Sequence, residues 1–251
     1  MKDFNTEKQK NVAIFASGSG SNAEAIVMDF QDGSPVGFAG LCNMPPGKAG
    51  VYDKLHALGV NVEYVPSPKG DFSGVRKFLE AHRFDLVVLA GYMRVLPADI
   101  VEKYDILNIH PSLLPYKYKG SMDAYQDAID SGDKITGCTV HRATTDVDDG
   151  PILGQIGFEI PSGILGAGDI DTLKGIGLAH EHALYPAIVR YILYSSALDI
   201  RIVADRAAQN IFDRGLPSAH TIIPSHGGTR FQGIAPNDYE YAVVEKTGKA
   251  R

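Results

Sequence analysis

Apolar and polar positions follow two different periods along this chain, and the changes between them mark out the elements. Residues 12–16, 36–41, 62–65 and 85–90 are short apolar runs ending at glycine or polar residues. Runs of this kind become strands buried in a parallel sheet. Between them lie stretches with helical spacing: 23–29, a segment carrying Leu55 and Leu58, and 75–81. A fifth strand-like run covers 105–109. This βαβ order predicts an α/β fold, a doubly wound and mostly parallel sheet with helices on both faces. From Ile135 the order changes to two strand-like runs, 135–143 and 152–160, a glycine-rich connector at 161–168, and a long helix over 171–194.

The last part of the chain reads differently. After Pro217, Thr221-Ile222-Ile223 and Tyr239 to Val244 have strand-like composition, separated by Gly227-Gly228 and Pro236. Strands of this kind are unstable alone. They are expected to pair with each other, with the edge of the main sheet, or with a second subunit. The predicted organisation is one domain over 1–217 and an extension over 218–251, packed on that domain or on a partner subunit.

Composition narrows the function. A chain of 251 residues with 44% hydrophobic content is ample for one core. Its net charge of −6 argues against a general nucleic-acid binder, which usually shows a basic face. No apolar run is long enough to span a bilayer, and residues 1–10 are too charged for a signal peptide. No membrane or nucleic-acid partner is expected, and the cytoplasm is the expected compartment. Cys42 and Cys138 have neither metal-site spacing nor the density of a disulfide scaffold, so both are expected to be reduced.

The candidate chemistry begins at the run 107–115. Asn108 and His110 point the same way from the end of a strand, because side chains alternate along it, and Pro111 and Pro115 then force the chain out of regular structure. A packed or surface histidine is the plain alternative for His110. Downstream, Asp146, Asp148 and Asp149 crowd one loop between two strand-like runs. The spacing does not fit a calcium loop. A solvated turn suffices for Asp146 and Asp149, whereas one carboxylate set against His110 would favour its charged form and fix its tautomer. Earlier, Ser17-Gly18-Ser19-Gly20-Ser21-Asn22 joins the first strand to a helix. Glycines admit a ligand close to the backbone, and free amides at a helix start favour an anion such as phosphate. Gly18, Gly20 and Ala23 also satisfy a dinucleotide fingerprint, so an oxidoreductase is a rival from another class. The next strand ends in Cys42-Asn43-Met44, with no acidic residue to hold a ribose, which weakens that rival.

Asn108-Ile109-His110-Pro111-Ser112-Leu113-Leu114-Pro115, preceded by Ala90-Gly91-Tyr92-Met93-Arg94-Val95-Leu96 and followed by Asp148-Asp149-Gly150-Pro151, resembles the folate-dependent formyltransferase superfamily. Glu181-His182-Ala183-Leu184-Tyr185-Pro186 and the loop at 17–22 resemble its branch that acts on glycinamide ribonucleotide. The likeness runs from about Asn11 to about Pro217. It implies the formyltransferase fold and transfer of formyl from 10-formyltetrahydrofolate to the ribonucleotide amine, without a metal. By the same likeness Asn108, His110 and Asp148 are catalytic, and Gly20, Ser21, Asn22 and Glu181 bind the ribonucleotide. Met93, Arg94, Val95 and Leu96 line the folate pocket together with Asn108, Thr144, Thr145, Asp146, Val147 and Asp148. The partners it implies are small molecules, with a homodimer as one assembly.

Two segments depart from the family pattern: 115–124 lacks the histidines that often follow the glycine there, and 71–74 lacks an arginine for which Lys69 or Arg76 could substitute. A hydrolase releasing formate from the same donor is the alternative within the superfamily. Such enzymes usually carry a further N-terminal domain, whereas only about ten residues precede the first strand here. A methionyl-tRNA formyltransferase would need a larger and more basic C-terminal part than the tail offers.

Overall fold

The computed structural model describes residues 8–194 and the backbone of 219–222. The chain divides into two compact units, one of residues 1–109 with 141–150 and one of residues 110–140 with 151–251.

The first unit is a repeating strand and helix structure. In chain order it contains β1 (Lys10–Ala16), α1 (Ser21–Asp29), β2 (Val36–Cys42), α2 (Val51–Ala57), β3 (Val62–Tyr64), α3 (Ser73–Ala81), β4 (Leu86–Leu89), α4 (Ala98–Val101) and β5 (Ile106–His110), whose last residue counts with the second unit. The strands lie in the order β3-β2-β1-β4-β5 and every pairing is parallel. Near-continuous apolar strands follow from this, since β1 is buried from Val12 to Ala16 and β4 along its whole length. Helix α3 shows how a local pattern becomes packing: Val75, Phe78 and Leu79, at i, i+3 and i+4, are its buried face. Phe78 meets Phe15 edge-on at 5.9 Å, and Phe15 meets Tyr92 at 5.3 Å. Such pairs contribute about 0.5–1.5 kcal/mol each beyond their burial.

The second unit holds α5 (Ala124–Asp130), β6 (Ile135–Arg142, its last two residues counting with the first unit), β7 (Ile152–Glu159), α6 (Ser162–Ala167), α7 (Ile170–Tyr194) and β8 (Ala219–Ile222). The α/β class and the mostly parallel sheet agree with the sequence. Two short helices, α4 and α5, do not appear in the sequence reading, because one or two turns carry too little periodicity to register. The connector at 161–168 is a correction: it contains helix α6, which tolerates Gly163 and Gly166 and ends at Gly168 with φ 64°. A left-handed glycine at that position is a common helix stop.

In the tail, the described residues form one strand. β8 pairs antiparallel with β7, with Gln155 opposite Ile222 and Phe158 opposite Ala219. The run 239–244 lies outside the described residues. Deleting 218–251 removes β8 and bares the backbone donors and acceptors of β7, an invitation to pairing with another chain. The truncated protein is expected to melt several degrees lower or to associate, as read by thermal melting and sedimentation. An unchanged Tm together with an unchanged oligomeric state would show that β8 contributes nothing to the edge.

Candidate active site

In the first unit the order reverses between β1 and β4, since the chain winds outward from β1 to β3 and then returns to the other side of β1. Ligand crevices in open α/β sheets form at such switch points, beyond the carboxyl ends of the strands. The loops leaving these two strands are tied together there. Ser17 N–H donates to the Gly91 carbonyl at 3.0 Å, and Met93 N–H donates to Ser17 Oγ at 2.8 Å. Gly20 begins α1 with φ 73°, and a Cβ at that position would lie 2.6 Å from Val51, so the loop at 17–22 can follow this path only with glycine there. Asn22 is buried at the start of the helix. On the β4 side, Met93 and Val95 are 64% and 66% exposed, while Leu96 is buried.

Asn108 follows on β5, paired in register with Leu89 of β4. Its Nδ2 lies 3.2 Å from His141 Nε2 and donates to Asp148 Oδ1 at 3.3 Å. His141 Nδ1 faces the Arg142 carbonyl at 3.0 Å. A carbonyl accepts only, so Nδ1 carries the hydrogen and Nε2 of the neutral ring accepts from Asn108. Asp148 Oδ1 is also 3.5 Å from His141 Nε2, in ion-pair range when that ring is protonated. Carboxamide, imidazole and carboxylate therefore form one small network at the strand ends.

The acidic loop reaches this geometry through two backbone features. Asp148 has φ 52°, a left-handed conformation that costs a residue with a Cβ about 1–2 kcal/mol, though aspartate tolerates it better than most. Two residues on, a Cβ at Gly150 would fall 1.7 Å from the Arg142 carbonyl oxygen, so this close return of the loop to β6 requires glycine. Thr144, Thr145, Asp146, Val147 and Asp149 are exposed, and Thr144 Oγ1 donates to the Asp146 carbonyl.

The second unit carries its own polar cluster. His110 is buried at the end of β5, and its Nε2 lies 2.9 Å from the Tyr118 carbonyl. Glu181 is buried on α7, where Tyr125 Oη donates to its Oε1 at 3.3 Å. The phenol fits because of Gly177, one turn earlier, where a Cβ would lie 2.1 Å from Tyr125 Oη. Burial, reinforced by the Glu181 charge, pushes the Tyr125 hydroxyl well above its usual range and keeps it a donor. The same two causes raise the Cys138 thiol, and both cysteines are free and buried.

Of the residues predicted from sequence, Asn108 and Asp148 meet directly, and the loops bearing Gly20, Ser21, Asn22 and Met93 are linked through Ser17. His141, Tyr118 and Tyr125 carry no role in the sequence reading. His141 has a signal, a polar residue near the end of an apolar strand just before the acidic loop, as Asn108 lies near the end of β5. The Tyr118 contact is made by backbone and has none. Arg76, one candidate for the missing family arginine, is held bidentately by Asp99 at 2.7 and 2.9 Å. Among the described residues no group of three or more His, Cys, Asp or Glu side chains could hold a metal ion, and no helix is long and apolar enough to cross a membrane.

A doubly wound sheet with a glycine-rich loop at its switch point and polar residues at its strand ends is the arrangement in which open α/β sheets form ligand crevices. The chain belongs to the formyl transferase family, whose model matches residues 10–189. It is 35% identical over 196 residues to phosphoribosylglycinamide formyltransferase of Bacillus subtilis (strain 168), covering 73% of this chain and 95% of that one. It is 34% identical over 199 residues to the trifunctional purine biosynthetic protein adenosine-3 of Homo sapiens, covering 75% of this chain. This chain spans 19% of the length of that trifunctional relative. The crystal structure of phosphoribosylglycinamide formyltransferase from Bacillus halodurans is similar at a TM-score of 0.66 and 35% identity, covering 74% of this chain and 97% of that one.

Proposed function

We propose that the chain transfers the formyl group of 10-formyltetrahydrofolate to the amine of glycinamide ribonucleotide, a step of purine biosynthesis in the cytoplasm. The observation that carries this reading is the likeness to the Bacillus subtilis enzyme over 95% of its length. The Asn108 to Asp148 contact at the strand ends supports it. On this reading residues 1–217 are the transferase domain and 218–251 an extension, and a homodimer is the assembly to look for.

The donor supplies a formyl carbon bonded to a nitrogen leaving group. Attack by the primary amine places negative charge on the formyl oxygen, and Asn108 Nδ2 is the donor for it. Its two hydrogens are directed at His141 and Asp148, so donation to substrate takes one of those bonds. A single donor to such an oxygen typically contributes about 2.7–4 kcal/mol. His110 carries the proton given up by the attacking amine to the departing folate nitrogen as the carbon–nitrogen bond to folate breaks. Asp148 supplies a negative charge that favours imidazolium and must itself be ionised, so the rate falls at acid pH. Ribonucleotide phosphate is held by Gly20, Ser21 and Asn22, whose loop starts a helix. Glu181 binds the sugar or glycinamide end. The exposed apolar side chains of Met93 and Val95, with Arg94, buried Leu96 and the loop of Thr144, Thr145, Asp146 and Val147, suit a flat heterocycle.

The test is to supply the formyl donor with glycinamide ribonucleotide or with water alone and to follow folate release. Release that depends on the ribonucleotide is expected. Equal release without it would replace this reading by the hydrolase.

A further inference from the structure

We propose that the backbone carbonyl of Tyr118 is the positioning group for His110, holding the ring in its Nε2–H form so that Nδ1 is the proton-carrying atom, and that Asp133 anchors this carbonyl. The proposal rests on the role given to His110 above and adds which atom does the work.

The chemistry of the contact is one-sided. A backbone carbonyl has no hydrogen to give, so at 2.9 Å the hydrogen between it and His110 sits on Nε2. A neutral imidazole has a single N–H, which leaves the lone pair on Nδ1. Nε2 keeps its hydrogen in both charge states, and the proton that comes and goes is the one on Nδ1.

The carbonyl is not where a relaxed chain would put it. Tyr118 has φ 54°, one of only two non-glycine residues with positive φ among those described. Backbone outliers of this kind persist when their surroundings over-determine them. Here they do. The Tyr118 carbonyl also accepts from Ser121 N–H at 3.0 Å, so both its lone pairs are committed. Tyr118 Oη donates to Asp133 Oδ2 at 2.6 Å, and Lys117 Nζ donates to Asp133 Oδ1 at 3.0 Å. The Lys117 ammonium lies 5.7 Å from the centre of the Tyr118 ring. Buried Ser112 Oγ donates to the Lys117 carbonyl at 2.6 Å, which fixes the peptide just before Tyr118. Asp133 itself is held by its N–H to the Ala128 carbonyl at the end of α5. The outlier is therefore clamped from the side chain by Asp133 and from the backbone by Ser112 and Ser121. The carbonyl so held is the one that meets His110.

Nitrogen-15 NMR of the full-length protein with labelled histidine reads this directly, with the His110 signals identified by their loss in His110→Gln. At a pH where the ring is neutral, a hydrogen on Nε2 and a pyridine-like Nδ1 are expected. A hydrogen on Nδ1, or the averaged pattern of a free imidazole, would overturn the proposal. Tyr118→Phe and Asp133→Asn should each weaken the tautomer preference and lower kcat by roughly 3- to 10-fold, the worth of one hydrogen bond, with both KM values unchanged. If neither variant moves tautomer or kcat, the Asp133 anchor is wrong. Full kcat in His110→Ala, with the Nε2–H form seen in the parent protein, would overturn the proton role and not the positioning contact. The two failures are thereby told apart.

Discussion

His110→Ala is expected to lower kcat for formyl transfer by about 10²–10⁴-fold, the usual contribution of a positioned acid or base. Binding of the ribonucleotide, followed by calorimetry, should stay within about twofold, because the lost interaction belongs to the transition state and not to the bound substrate. Two features of the ring's setting make the expectation specific. The ring is buried at a strand end, where solvent cannot replace it as a proton carrier, and its Nε2 is committed to the Tyr118 carbonyl. His110→Gln separates proton transfer from support, since a glutamine amide can still donate to that carbonyl but cannot shuttle a proton. Its kcat should be as low as that of His110→Ala, with a melting temperature closer to the parent. A variant of either kind retaining more than about a tenth of the parent kcat would fall outside the range for an acid or base and remove His110 from the mechanism.

The second large effect is expected at Asp148. Replacing it by alanine or asparagine should cut turnover by about 10²–10⁴-fold, as loss of the carboxylate in an acid–base array generally does. The two replacements differ in a way that the backbone explains. Asparagine accepts the left-handed conformation at φ 52° and keeps an acceptor toward Asn108, so it removes the charge alone. Alanine removes the charge, the bond to Asn108 and some tolerance of that conformation, and should also lower Tm. Asp146→Ala and Asp149→Ala, in the exposed part of the same loop, should change kcat by less than about threefold. A larger effect at Asp149 than at Asp148 would shift the proposed assignment by one residue. Steady-state kinetics on the four variants, with thermal melts, decides between these outcomes.

The sequence by itself determined the α/β class, the five parallel strands of the first unit, and the loops at 17–22, 90–96 and 143–150. Each of these is local: apolar runs of strand length, glycines where the backbone must turn, and polar residues at strand ends. It also marked Asn108 and His110, because an amide and an imidazole at the end of an apolar strand stand out from their neighbours, whereas Asp148 and Glu181 were singled out by the resemblance to the family. The helices α4 and α5 escaped it, being shorter than the period that would reveal them, and α6 was hidden by its glycines. Only the tertiary structure decided what these residues meet. It set Asp148 against Asn108 and His141, placed Tyr125 on Glu181 through the notch at Gly177, and put the Tyr118 carbonyl on His110. Those pairings span 7 to 56 positions along the chain. They depend on the return of a loop, the absence of one Cβ, or the direction of a backbone carbonyl. Side-chain spacing carries no record of any of these, because they are fixed by packing between elements and by φ at single residues.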